Sequence, residues 1–160
     1  MTTVDIDLIG VPVFIIDVED DGGFRVVAIN QADADALGLT ASEVAGRRVE
    51  DCTAPDIAGH VIKRFSACVS TCRFLEYDEV MHTEGTARWW RTTLTPFLDR
   101  ETGRVTRIVG VSVEITERKH AEAQLARAVV LDPLTGVLNR RGLEGSVSDA
   151  ISNPDASGRI

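Results

Sequence analysis

Three strand-like segments follow one another in the second half of the chain, and they constrain the fold more than any other feature. They cover roughly residues 73–82, 87–98 and 104–114. The two connections, Thr83-Glu84-Gly85 and the segment 99–103, consist of residues typical of tight turns. Strands joined by such short turns pair antiparallel, because a parallel pair needs a long crossover connection. The sequence therefore predicts a three-stranded antiparallel meander.

A second pair of strand-like segments lies near the N-terminus. Residues 11–17 and 24–29 are rich in strand-forming residues, and the segment 19–23 between them has the composition of a turn. Asn30 suits the N-cap of a following helix, and Gly38 suits the left-handed position at the end of that helix. These signals predict a hairpin followed at once by a short helix.

Two further helices are predicted before the meander. One begins at Thr40 or Ser42 and ends at Gly46. The other covers about residues 56–70, where apolar residues recur at helical spacing; these are Ile57, Val61, Ile62, Phe65, Cys68 and Val69. Hairpin, helices and meander together predict an α+β fold, with one five-stranded antiparallel sheet and helices on one of its faces.

The segment 117–131 is helix-forming throughout. Ala121, Leu125 and Ala128 are spaced four and three residues apart, like the seam of a coiled coil, and Pro133 stops the helix. This seam, together with an exposed sheet, predicts a homodimer. The association is expected to be weak, because barely two turns of seam do not form a stable coiled coil alone.

The charge of the chain argues against one class of partner. The net charge is −8, and residues 1–60 hold 12 acids against 3 bases. Nucleic-acid recognition needs a basic face, so no nucleic-acid partner is expected. No apolar run reaches membrane-spanning length, and no signal-peptide pattern is present. The chain is therefore expected to be cytoplasmic, with no membrane segment of its own.

The end of the last strand resembles a known signature. The segment Glu114-Ile115-Thr116-Glu117-Arg118-Lys119 is similar to the C-terminal end of PAS sensory domains, in which Asp usually occupies the position of Glu114. The resemblance covers about residues 9–119, and its further matches are Asn30, Leu37-Gly38-Leu39-Thr40, Gly46, Trp89 and Pro96. It implies a PAS fold with a sensory role. The resulting prediction is a PAS domain over 1–116 and a signalling helix over 117–131.

Residues 132–160 resemble the start of another domain. The run from Asp132 to Arg141 fits nine of ten positions of the entry sequence of GGDEF diguanylate cyclases, with Val137 in place of Leu. The resemblance implies a parent protein that makes cyclic di-GMP from GTP. The catalytic loop and the metal-binding carboxylates of that family are missing from this segment. No catalytic or metal-binding residues are therefore expected here, and the chain alone is not expected to be an enzyme.

The expected function is signal input, either by binding an unknown small molecule or by relaying a change in packing. The candidate ligand pocket is lined by Phe14, Ile16, Ile29, Val61, Phe65 and Trp89. The candidate relay into the helix consists of Glu114, Ile115, Thr116 and Leu125, with no Gly or Pro to loosen the joint. A cavity of ~300 Å³ or more would favour ligand sensing over a ligand-free dimerisation module.

Neither haem nor flavin is expected, although a redox or gas sensor remains the third alternative. His60 lies on the long helix, out of phase with the predicted buried face. Cys72 belongs to a sequence similar to the motif of LOV photoreceptors, but it is expected at the start of the third strand, after the long helix, and not near Gly46, where that family carries its reactive cysteine. Asp78 and Glu79 are expected on the solvated surface. The three cysteines are expected to be reduced thiols.

Overall fold

The sheet begins with the predicted hairpin. The computed structural model describes residues 5–83 and 85–130. In it β1 (Val13–Val18) and β2 (Phe24–Ile29) pair antiparallel. The hairpin turn is closed by two hydrogen bonds of 2.9 Å, from the Glu19 amide to the Gly23 carbonyl and from the Gly22 amide to the Glu19 carbonyl. Gly22 has a φ of 82°, a conformation that glycine adopts without a steric penalty.

Three helices follow the hairpin, as predicted. They are α1 (Gln31–Leu37), α2 (Ala41–Val44) and α3 (Pro55–Thr71). A short 3₁₀ turn at Val49–Asp51 lies between α2 and α3, and another at Ile6–Leu8 precedes the hairpin. Gly38 ends α1 in the left-handed conformation, and Thr40 forms a capping box with Glu43 at the start of α2. These local signals act within a few residues of the sequence, which explains why the predicted helix ends agree with the structure.

The meander completes the sheet. Its strands are β3 (Leu75–Thr83), β4 (Thr86–Leu98) and β5 (Val105–Glu114). The strand order is β2-β1-β5-β4-β3, and every neighbouring pair is antiparallel. The last strand therefore lies in the middle of the sheet, between the N-terminal hairpin and the rest of the meander. The predicted fold class is confirmed.

Two faces of the sheet differ in what covers them. One face, here called the helix-facing side, carries Ile16, Leu94 and Ile108, which form one core with Val44, Val49, Phe65 and Cys68 from the helical region. The opposite face, here called the outer face, carries the alternate residues of each strand, because successive side chains in a strand point to opposite sides. Cross-strand pairs such as Ile15 with Val109 belong to the outer face.

The C-terminal helix α4 covers Thr116–Val130. The chain divides after Ile115 into two compact units, and α4 belongs to the second. Residues 121–127 of α4 are all exposed. The entry sequence at 132–141 lies outside the described residues. Within residues 5–83 and 85–130, no helix combines the length and the apolar character needed to cross a bilayer.

Asn30 connects three segments at one edge of this fold. Its side chain is completely buried, and its Oδ1 accepts hydrogen bonds from the amides of Val13 (2.9 Å) and Asp33 (3.0 Å). Its Nδ2 donates to the carbonyls of Ile9 (2.9 Å) and Val11 (2.8 Å). One amide side chain therefore caps α1, fixes the start of β1 and holds the segment that precedes the sheet.

Replacing Asn30 is expected to destabilise the fold severely. Asn30→Ala leaves buried amide and carbonyl groups without partners, so the free energy of unfolding should fall by on the order of 3 kcal/mol. Asn30→Asp should also be destabilising, because a carboxylate oxygen would face the two carbonyls. Urea denaturation measures both. The control is Gln31→Ala at an exposed neighbouring position; equal stability of Asn30→Ala and this control would contradict the role of Asn30.

Candidate functional site

The apolar part of the site lies between the sheet and α3. Here the structure brings together five of the six predicted pocket residues, and Phe14 packs against Phe65 with their ring centroids 6.0 Å apart. Phe24 meets the same Phe65 ring edge-on at 5.3 Å. Gly110 allows this packing, because a Cβ at that position would lie 2.0 Å from the Phe14 ring. The remaining members are Ile16, Ile29 and Val61.

The sixth predicted pocket residue, Trp89, lies elsewhere. It pairs with Val80 on the outer face, whereas its neighbour Trp90 is buried on the helix-facing side opposite Glu79. The sequence showed only that the two tryptophans point to opposite faces. Which of them points inward depends on the register of β4 with its neighbours, and local sequence does not fix that register.

A polar cluster borders the apolar part, on the helix-facing side of β3, β4 and β5. Tyr77 lies opposite Thr92, and Thr92 lies opposite Ser112. The Thr92 hydroxyl donates to Glu79 Oε1 at 3.0 Å and shares a hydrogen bond of 2.9 Å with the Ser112 hydroxyl. Arg64 of α3 stacks its guanidinium 4.6 Å from the centroid of the Tyr77 ring. A chain of side-chain contacts therefore runs from α3 to the central strand.

Burial sets the protonation behaviour of this polar cluster. It raises the pKa of Glu79, although the hydrogen bond from Thr92 and the charge of Arg64 both act in the opposite direction. Burial and the neighbouring Glu79 charge raise the pKa of Tyr77. While the Thr92 hydroxyl donates to Glu79, it accepts from Ser112, since a hydroxyl has one proton to donate. A protonated Glu79 can donate to the Thr92 hydroxyl, which then donates to Ser112, so that the direction of both hydrogen bonds is reversed.

The prediction that Glu79 lies on the solvated surface is therefore wrong. Glu79 shares the face of Leu75 and Tyr77, because all three are at alternate positions of β3. Thr92 stands between Trp90 and Leu94 on the helix-facing side of β4, and all three are buried. The signal available in the sequence was a polar residue at a position in phase with buried apolar residues. Asp78, on the other face, forms an ion pair with Arg91 at 2.7 Å.

The predicted relay residues lie where β5 ends. Ile115 is buried, and its amide donates to the Trp89 carbonyl at 2.8 Å. Glu114 forms an ion pair with Arg88 at 3.6 Å. Thr116 is the first residue of α4, whereas Leu125 lies further along that helix and is exposed. The backbone is therefore bound to β4 up to the residue before α4.

Two open clefts lie at the end of the sheet that holds the hairpin turn. One has a volume of 730 Å³ and is lined by Asp17, Val18, Glu19, Asp20, Arg25, Phe97, Thr106 and Arg107. The other has a volume of 350 Å³ and includes Cys72, Val69 and Arg104. Neither has its lining among the five pocket residues. These two volumes therefore do not favour ligand sensing at the predicted pocket over a ligand-free module.

The residues considered for cofactors lie apart from this site or are enclosed by protein. His60 is exposed on α3. The prediction that Cys72 begins the third strand is wrong. Cys72 ends α3 in a left-handed conformation with a φ of 52°, and its side chain is exposed. Cys68 is buried in the core, and burial raises the pKa of its thiol. Cys52 is partly buried, and its thiol pKa is raised for the same reason.

An antiparallel sheet with helices on one face and a helix leaving its central strand defines the class of small sensory modules. The family model described as "PAS fold" matches residues 6–120. The chain belongs to the PAS family, and it is a sensory module of that type.

Solved structures share this fold. The PAS domain of BvgS from Bordetella pertussis is 25% identical, with a TM-score of 0.60 over 76% of this chain and 88% of that one. An RNA-binding light-oxygen-voltage receptor is 24% identical, with a TM-score of 0.56 over 74% of this chain and 33% of that one. A PAS domain from Colwellia psychrerythraea is 16% identical, with a TM-score of 0.55 over 71% and 92%. No curated protein matches the chain.

Asp33 gives the module a measurable pH dependence. Its carboxyl group lies buried on α1, and burial raises its pKa from 3.8 to about 6. The folded state therefore favours the protonated form of Asp33. A protonated Asp33 makes its full contribution to the free energy of unfolding near pH 4, and this contribution is lost as the pH rises through about 6 and the carboxyl group ionises. The difference corresponds to about 3 kcal/mol.

Asp33→Asn should remove the loss of stability that the ionisation of Asp33 causes as the pH rises. The variant is expected to be more stable than the wild type at pH 7, and the difference should shrink towards pH 4. Thermal unfolding between pH 4 and 8 measures it. Asp35→Asn, at an exposed position of the same helix, is the control. A stability difference between Asp33→Asn and the wild type that does not vary with pH would refute the assignment.

Proposed function

We propose that this chain is the sensory input of a diguanylate cyclase and that it works in the cytoplasm as a homodimer. A small molecule, or altered packing, acts on the helix-facing side of the sheet. The change reaches α4 through β5 and alters the synthesis of cyclic di-GMP by two cyclase domains. The observation that carries the proposal is the hydrogen-bonded polar cluster that ends on β5, the strand that leads directly into α4.

The connection between cluster and helix is short. Ser112 is three residues before Ile115, and both belong to a segment whose backbone pairs with β4. A change in the hydrogen bond at Ser112 therefore acts on the same backbone segment that leads into α4, only three residues before its last hydrogen bond to β4. A joint without Gly or Pro transmits a rotation, whereas a flexible linker absorbs it. For a ligand to act in this way, it must bind one state more tightly than the other.

The output half of the proposal is supported by sequence. The run from Asp132 to Arg141 fits nine of ten positions of the GGDEF entry sequence. The seam of Ala121, Leu125 and Ala128 lies between the sensory domain and this run. A paired helix at this place suits a reaction in which two cyclase domains each supply one GTP.

Two alternatives remain within the PAS family. A module without any ligand would act only through dimerisation, and small-molecule mass spectrometry of the denatured protein separates it from a ligand sensor. A redox or gas sensor would hold haem or flavin, which colours the purified protein. We expect neither cofactor, since His60 is exposed on α3 and Cys72 follows that helix.

The helix relay is tested by insertions near Gln124 in the intact parent enzyme. One or two inserted residues rotate everything that follows by ~100° each, so cyclic di-GMP synthesis should change sharply. Seven inserted residues restore the phase of the seam and should restore most of the wild-type activity. The rate of cyclic di-GMP formation from GTP, measured by chromatography, is the readout.

Equal activity of the three insertion variants would show that α4 is only a tether. A purified parent protein that forms no cyclic di-GMP, with GTP and a divalent metal present, would refute the cyclase assignment itself. The 160-residue chain alone is the negative control and should form none.

A further inference from the structure

The polar cluster connects solvent to the central strand of the sheet. Glu79, at one end, is only partly buried, so solvent protons reach it without an opening of the fold. Thr92 and Ser112 are 1% and 9% exposed, and hydrogen bonds of 3.0 Å and 2.9 Å join them to Glu79 in series. The far end of this series lies on β5, three residues before Ile115. A change of protonation at Glu79 therefore has a defined route to the strand that leads into α4.

The groups that surround Glu79 in this cluster keep their protonation state near neutral pH. They come from α3, β3, β4 and β5 and are Arg64, Tyr77, Thr92 and Ser112. Serine and threonine hydroxyls do not ionise, and a guanidinium stays protonated. Burial raises the pKa of Tyr77 further above its ordinary value, whereas burial moves the pKa of Glu79 upward, towards neutral pH. Glu79 is therefore the member of the cluster that gains or loses a proton in this range.

The charge of Glu79 depends on the Thr92 hydroxyl for its direct stabilisation. The Arg64 guanidinium lies over the Tyr77 ring, 4.6 Å from the ring centroid. None of the ion pairs within residues 5–83 and 85–130 includes Glu79. A hydrogen bond to a carboxylate is stronger than one between neutral groups. The protonation state of Glu79 therefore determines the strength and the direction of the bond to Thr92.

Proton uptake reverses the series of hydrogen bonds. With Glu79 ionised, Thr92 donates to Glu79 Oε1 and Ser112 donates to Thr92. With Glu79 protonated, its new O–H donates to Thr92, and Thr92 turns its own hydrogen towards Ser112. The one proton that changes its oxygen is the one that Glu79 takes from water. The Ser112 hydroxyl then has no acceptor within the series, and its side chain must turn to reach another, because buried hydroxyl groups are hydrogen-bonded.

We propose that the signal received by this module is a proton, which binds at Glu79 and acts through Thr92 and Ser112 on the attachment of β5 to β4 beside α4. This inference rests on the proposed function, in which the polar cluster passes a change to α4, and it identifies the cause of that change. Acidic conditions hold Ser112 in one arrangement, and alkaline conditions hold it in the other.

A pH titration of the 160-residue chain, followed by NMR of its backbone amides, tests the proposal. Between pH 4 and 8 the amides of Ser112 and Ile115 should shift with one midpoint, which they share with the Glu79 carboxyl carbon and which lies above 4.5. Glu79→Gln should abolish this shift and hold both amides near their low-pH positions, because a neutral amide donates to Thr92 as a protonated Glu79 does. The matched control is Glu76→Gln, at an exposed outer-face position of the same strand, and it should titrate like the wild type.

Thr92→Val tests the route and serves as the second variant should Glu79→Gln not fold. In it Glu79 still titrates, but the two amides should no longer follow. Asp33→Asn is the common background of all titrations, because Asp33 titrates near pH 6, and circular dichroism melting establishes folding. A midpoint at or below 4.5, or amide shifts that persist in folded Glu79→Gln or Thr92→Val, would overturn the proposal. None of these outcomes depends on cyclic di-GMP synthesis, so the cyclase proposal stands or falls separately.

Discussion

The pairing of β5 with both β1 and β4 is the interaction on which the rest of the structure depends. It joins the N-terminal hairpin to the meander, and without it the hairpin and the meander would be two small separate sheets. It also brings Gly110 under the Phe14 ring and Ser112 beside Thr92. The apolar and the polar parts of the site therefore both rest on the central strand. Because that strand ends at Glu114 and α4 begins at Thr116, the chain leaves the sheet from its central strand.

The features that were predicted from sequence depend on short-range chemistry. Asn30, Gly38 and the Thr40 capping box act on neighbouring backbone groups, so they mark helix ends in any context. The turns around Gly22 and Gly103, both with positive φ, set the ends of strands in the same way. These signals sufficed for the order of elements, and the family signature then fixed the arrangement of the sheet.

The features that were not predicted depend on long-range register. Trp89 and Trp90 exchange roles if β4 shifts by one residue, and nothing local excludes the shift. Glu79 was assigned to the surface because its charge suggested exposure, yet its neighbours in space come from β4 and from α3. A partly buried carboxyl group of this kind is recognised only when the strands are aligned. The outer-face ion pairs, which join residues as distant in sequence as Asp17 and Arg107, are not predictable from local sequence for the same reason.

The central claim is that the polar cluster is coupled to the junction between β5 and α4. Amide hydrogen exchange at Ile115, whose N–H donates to the Trp89 carbonyl, measures this coupling directly. Thr92→Val breaks the hydroxyl chain with little change in shape, and Thr93→Val is the control on the outer face of the same strand. The account predicts that Thr92→Val speeds exchange at Ile115 by more than it speeds exchange in β1, and that Thr93→Val does neither. Unchanged exchange at Ile115, or a uniform increase over the whole sheet, would contradict it.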